Sequence, residues 1–144
     1  MHLRQQIRDY VFGQLFDNTG AFQNVYKSRV YPVDGKAFAT ILIYTDSETA
    51  EPAGFSESSD RELILKLEVY VKEYATPDNL LDDITSEIEV LLATNCAPLK
   101  QVLSMNYTGL NVEFSGSGDK PLLVGTMEYS INYWVENKNP EGED

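Results

Sequence analysis

The sequence predicts a single α+β domain, and three observations carry that prediction. Between Arg61 and Tyr74, Leu63, Leu65, Leu67, Val69 and Val71 alternate with Glu62, Ile64, Lys66, Glu68, Tyr70 and Lys72, the period of two of a strand with one buried face. Two other stretches, one running from Leu3 and one opened by Thr76-Pro77-Asp78, return apolar residues at the three-and-four spacing of an amphipathic helix. From Val102 onward the chain alternates again, in two long runs separated by glycines.

Length and composition bound the rest. A chain of 144 residues with 42% hydrophobic content can bury one real core but not two comfortable ones. A formal net charge of -12 and a pI near 4.4 argue against holding nucleic acid by its phosphates, a mode that needs a Lys/Arg footprint. Cys96 is the single cysteine, which rules out an intrachain disulfide and leaves stability to packing and assembly; its expected role is a small buried filler. No apolar run approaches the ~20 residues of a bilayer span. The opening MHLRQQIRDY has charges where a signal peptide has its apolar core, so a cytoplasmic site of synthesis is expected.

Taken in order, Leu3 to about Asp17 reads as the first helix, with Leu3, Ile7, Tyr10 or Val11, and Leu15 on one face. Gly13 costs it roughly 1 kcal/mol relative to Ala, so packing or a close neighbour is expected there. Asp17-Asn18-Thr19-Gly20 supplies the stop. Phe22 to Val33 reads as a strand near a sheet edge, closed by Pro32, and Phe38 to Tyr44 as a strand buried on both faces and placed centrally. Thr45 to Asp60 has no periodicity and reads as a mobile loop. Its acids Asp46, Glu48, Glu51, Glu57 and Asp60 have no Lys or Arg within the stretch to offset them. The strand from Arg61 follows, and then the second helix, with Leu80 or Leu81, Ile84, Ile88 and Leu91 or Leu92 as its stripe and Asn95 and Pro98 as its end.

In Val102 to Phe114 the apolar parity is odd at Leu103, Met105 and Tyr107 and even at Leu110, Val112 and Phe114, which implies a bulge or bend at Thr108-Gly109. Deleting Gly109 is expected to turn the second set to the opposite face. Ser115 to Pro121 is a glycine-rich turn, and Leu123, Met127, Tyr129, Ile131, Tyr133 and Val135 form the partner strand of a hairpin. Residues 137–144 read as a frayed acidic tail outside a domain spanning 1–136.

No catalytic, cofactor-binding or metal-binding residue is assigned. Asp46, Ser47 and Glu48 lack the ligand spacing and glycine of a calcium loop. Gly116, Gly118 and Lys120 lack the spacing and the strand-to-helix setting of a phosphate loop. The acids of the second helix have no histidine or paired base beside them, and His2, the sole histidine, is expected at a mobile terminus. The candidate functional contacts are with another subunit or a tube on which the chain assembles: the loop acids Asp46, Glu48, Glu51 and Glu57 against Lys27, Arg29, Arg61 and Lys120, the alternative being a solvated acidic spacer. On that view, replacing Glu48, Glu51 and Glu57 together by Gln leaves the monomer's stability nearly unchanged.

The order of elements and several strings resemble the tail terminators of long-tailed bacteriophages, the minor tail protein U type of lambda-like phages. The strings are HLRQQIRD in the first helix, ATILIYT leading into TDSETAE, LKLEVYV followed by ATPDNLLDDI, and the closing EFSGSGDKPLLVGTMEYSINYWV. They span nearly the whole chain. The resemblance implies a mixed, mostly antiparallel sheet flanked by two helices. It further implies a homo-oligomeric ring, of six copies, that caps the tail tube, ends its polymerisation and presents a head-completion or connector face. Such a ring assembles in the host cytoplasm and stays in the virion tail, with DNA passing through an acidic lumen that does not hold it. It needs no catalysis, cofactor or membrane. The rival readings are another phage neck or tail-completion component of similar build and, from a different class, a small hydrolase or ligand-binding domain.

Overall fold

The computed structural model describes residues 1–30, 38–53, 57–72, 75–93, 96–115 and 122–142. Two helices, α1 (Leu3–Leu15) and α2 (Pro77–Leu92), accompany strands β1 (Val25–Tyr26), β2 (Ala39–Pro52), β3 (Ser58–Val71), β4 (Val102–Ser115) and β5 (Leu122–Glu136). The strands form one sheet in the order β1-β2-β3-β5-β4, antiparallel except for the short β1–β2 pair. The chain is an α+β domain, as its periodicities predict.

Strand β3 lies at the middle of that order. Leu63, Leu65, Leu67, Val69 and Val71 are fully buried, and they form one cluster with the α1 stripe (Leu3, Ile7, Val11, Leu15), the α2 stripe (Leu81, Ile84, Ile88, Leu92) and the odd-numbered residues of β5. Both helices therefore cover the same face of the sheet. Each large side chain so buried contributes roughly 1.5–3 kcal/mol, which is why the parity of β3 is fixed. Leu42 is buried outside this cluster, as the two-sided run in β2 predicts, although β2 lies second in the order and not at its centre.

The helix ends follow local chemistry with one exception. Asp17 takes the left-handed conformation (φ 61°) just after α1, a role a short polar side chain tolerates. Gly13 meets nothing within 4 Å of where a Cβ would lie, so no close neighbour explains it. Thr76 and Pro77 open α2 as expected, but the Thr76 side chain makes no cap bond to the helix.

Three expectations are corrected. Thr45 to Asp60 is not a structureless loop: β2 runs on to Pro52 and β3 begins at Ser58, so the acidic stretch is the far end of a long hairpin paired from Ala39↔Val71 to Pro52↔Ser59. Residues 49–52 are exposed on both faces, and a strand with no buried face has no apolar alternation to read. The edge strand around Phe22 to Val33 shrinks to Val25–Tyr26; residues 31–33, like the glycine-rich turn at 116–121, lie outside the described residues. Residues 137–142 fold back on α1, where the Leu3 amide donates to the Pro140 carbonyl (3.0 Å) and the Gln6 side chain to that of Glu141 (2.7 Å).

The phase change in β4 is a bulge, with the register shifting between Tyr107↔Tyr129 and Gly109↔Glu128. Its consequence is the reverse of the expected one. The extra residue puts Tyr107 and Leu110 on the same face, opposite Tyr129 and Met127, so deleting one residue there preserves that face. Leu110, Val112 and Phe114 lie on the helix-covered face but past the helices, at the sheet edge, and are exposed.

Candidate functional site

A second bulge, between Thr45 and Ser47 in β2, decides where the acidic residues point. Without it Glu48 would share the open face with Tyr44. With it Glu48 sits opposite Leu63, on the helix-covered face, where the amino end of α1 arrives. The Arg4 guanidinium donates to Glu48 Oε2 at 2.6 Å and Arg61 approaches the same oxygen at 3.4 Å, while the Tyr133 hydroxyl donates to Oε1. One carboxylate thus ties α1, the hairpin and β5 together. Its side chain is only 14% exposed, which places these charges in a setting where pairing matters more than at an open surface. Burial, reinforced by the bond to Glu48, pushes the Tyr133 phenol up to about 12.

His2 completes the cluster and is not a free terminus. It is the N-cap of α1: Nδ1 accepts from the Arg4 amide (3.0 Å), and the Gln5 side chain accepts from the His2 amide (3.0 Å), a reciprocal capping box. Burial first, then the charge of Arg4, holds the His2 pKa below its ordinary 6.5. A group whose folded pKa is depressed contributes stability above its unfolded pKa and loses it as pH falls through the folded one. The unfolding midpoint should therefore drop between pH 7 and 5.5, and His2→Asn, which retains a cap acceptor without titrating, should drop less. Thermal melts across that window check this; identical slopes would remove His2 from the account.

The remaining candidate contacts are distributed along the hairpin and its surroundings. Asp46, in the bulge, lies 3.8 Å from Lys66, and Glu57 lies 3.7 Å from Lys138. Glu51 is exposed directly opposite Asp60, a like-charge cross-strand pair. Lys27 pairs with Asp9 at 2.8 Å, and Arg29 stacks over the Tyr44 ring, 4.7 Å from its centroid, and donates to the Thr45 carbonyl. Among the described residues Arg61 is the one of these bases that meets a loop acid, Glu48, and it does so within the chain, where the expected contact was with another subunit or a tube. Lys120 lies outside the described residues. The acidic stretch thus draws its counter-charges from elsewhere in the chain, and Glu48 is not a spare surface charge, so the triple Gln replacement is no longer expected to be neutral.

On the open face of the sheet, the Tyr44 and Tyr70 hydroxyls donate to the two oxygens of Glu68 at 2.6 and 2.7 Å. These residues border a trough of about 510 Å³ that also includes Lys66, Asn111 and Glu128. That the polar residues on this side of β3 bond to one another was not legible in the sequence. Arg4, Tyr133 and the Tyr44 bond to Glu68 escaped sequence reasoning because their partners lie far away in the chain, whereas Tyr70 and Glu68 are neighbours on one face of β3. The one available signal was the glutamate parity in β2, which only the bulge makes meaningful.

Chemically, the Glu48 cluster holds charge and does not present a free base: both carboxylate oxygens and the His2 Nδ1 are engaged. Burial raises the Cys96 thiol to about 12, a range in which it is no nucleophile. Among the described residues no three His, Cys, Asp or Glu side chains are grouped to hold a metal, and no helix is long and apolar enough to cross a membrane. No protein-family model and no curated protein matches the chain.

Proposed function

We propose that this chain is a structural virion protein whose copies form a ring on the phage tail tube, ending tube growth and presenting a face for the head-completion or connector protein. The observation that carries the reading is β4, an edge strand of 14 residues on which Tyr107, Leu110, Val112 and Phe114 are exposed. A long apolar edge is a liability in a monomer and a docking surface in an assembly. Identical subunits docked head to tail close into a ring when the rotation permits, here in six copies by the resemblance already drawn. The clamped hairpin gives such a subunit a rigid body, and the role requires neither catalysis nor a cofactor. An acidic lumen lets DNA pass without gripping it. The ring would form in the host cytoplasm and remain in the virion tail.

Tails assembled with and without the protein test this reading by negative-stain imaging. Overlong tubes in its absence, restored to uniform length by adding it back, are the expected result. Uniform tubes without it would move the chain to another position in the neck and overturn the terminator role.

A further inference from the structure

Apart from Met1, the exposed large apolar side chains among the described residues fall into two groups at opposite ends of the sheet. Tyr26 lies on β1, and Phe16, Phe22, Val30 and Phe38 lie in the segments that follow α1, flank β1 and precede β2; Val90, Leu103, Tyr107, Leu110, Val112 and Phe114 lie on β4 and near the end of α2. Four strand spacings separate β1 from β4, roughly 19 Å at 4.7–4.9 Å each. Scattered surface apolar residues need no explanation, but two confined rims do.

The rims carry opposite charge. In α2, β4 and β5 there are eight carboxylates (five on α2, Glu113, Glu128 and Glu136) and no Lys or Arg. Residues 1–30 reverse the balance, with Arg4, Arg8, Lys27 and Arg29 against Asp9 and Asp17. Three of those cations, Arg8, Lys27 and Arg29, border one hollow of about 320 Å³ beside Thr45, next to exposed Tyr26 and Val30. On the opposite rim burial first, and then the charge of Glu89 on the neighbouring helix, raises the Tyr107 and Tyr129 phenols, so that carboxylate lies near the apolar strip.

We infer that the acidic apolar rim of one copy, β4 with Glu89 and Glu113, docks on the basic apolar rim of a second copy, β1 with Lys27 and Arg29. Charge complementarity selects this occupant. Two acidic rims repel each other, as do two basic ones, so a two-fold contact of either rim with itself is disfavoured and the head-to-tail contact is favoured. In a chain of net charge -12, a foreign acidic partner could use only the basic rim, and would leave the β4 strip uncovered. A second copy covers both. The inference rests on the assembly reading above, in that copies associate, but not on the tail tube.

Charge reversal tests it. Lys27→Glu with Arg29→Glu makes one variant and Glu89→Lys with Glu113→Lys the other, all four positions being exposed. Native mass spectrometry and sedimentation of the full chain are the readouts, with far-ultraviolet circular dichroism to show that each variant is folded. Each variant alone should associate at least tenfold more weakly than the parent. The 1:1 mixture should recover association as alternating heteromers, because both of its contacts are again between opposite charges. Val30→Ser and Phe114→Ser, which leave the charges in place, should each weaken association too and serve if a reversal variant does not fold. A parent that stays monomeric at high concentration, a variant that assembles like the parent, or a mixture that does not recover would overturn the inference. Association that follows this pattern while tubes remain uncapped would count against the terminator role alone.

Discussion

Glu48→Ala is expected to lower the unfolding free energy by about 2 to 3 kcal/mol, more than any other single charge removal among the described residues. Truncation leaves the Arg4 and Arg61 guanidiniums side by side without their shared carboxylate, and it strands the Tyr133 hydroxyl. Breaking a fully buried pair costs about 3–5 kcal/mol, and an exposed pair is worth about 0–1 kcal/mol. With Glu48 at 14%, Arg61 at 16% and Arg4 at 34% exposure, this cluster falls between those limits, nearer the buried one. Glu48→Gln keeps an acceptor for Tyr133 and removes only the charge, so its loss should be about half as large. Urea unfolding of both variants decides the matter. If both stay within about 0.5 kcal/mol of the parent, as ordinary surface replacements do, the cluster is not what fastens α1 to the hairpin.

How much of this was legible in the sequence depended on whether a residue's partner was near it in the chain or on a repeating face. The stripes of α1 and α2 and the alternation of β3 and β5 were legible because burial of one face imposes a period. The β4 bulge was legible because two apolar sets of opposite parity met at Thr108-Gly109. The continuation of β2 past Thr45 was not, since a strand exposed on both faces obeys the backbone ladder alone and its side chains record nothing of it. The Glu48 cluster was hidden for a related reason. A one-residue shift at Asp46 reverses the face of every residue after it, and no apolar residue nearby marks the reversal. The candidate contacts were chosen by charge alone, so the acids and bases were named without the geometry that pairs most of them with other residues of the chain. The rims were missed because apolar character, all that marks Leu110, Val112 and Phe114 in the sequence, does not distinguish a core position from a docking position at a sheet edge.

Gly125→Val should cost about 2 to 3 kcal/mol, although valine ordinarily suits a strand better than glycine does. Gly125 sits in β5 between Val69 of β3 and Val112 of β4, under α2. A Cβ there would lie 2.8 and 3.0 Å from the two Leu81 methyls and 3.3 Å from a Leu110 methyl. Those methyls end a flexible side chain, but Leu81 is 1% exposed and enclosed by the core, so it cannot swing into solvent. The added branches must lift the first turns of α2 or push Leu110 outward, and overpacking of this kind costs about 1–3 kcal/mol on top of the lost strand gain. Leu81→Ala alone should cost about 2–5 kcal/mol by opening a cavity. Combined with Gly125→Val it should cost at least about 1 kcal/mol less than the sum, because the valine fills part of that space. Urea unfolding of the two single variants and the double supplies the cycle. The shift of Leu110 gives the substitution a second effect: it disturbs the apolar strip of β4, so association of copies should weaken further than the loss of stability accounts for. A Gly125→Val variant as stable as the parent would mean that α2 does not seat on β5 at this glycine.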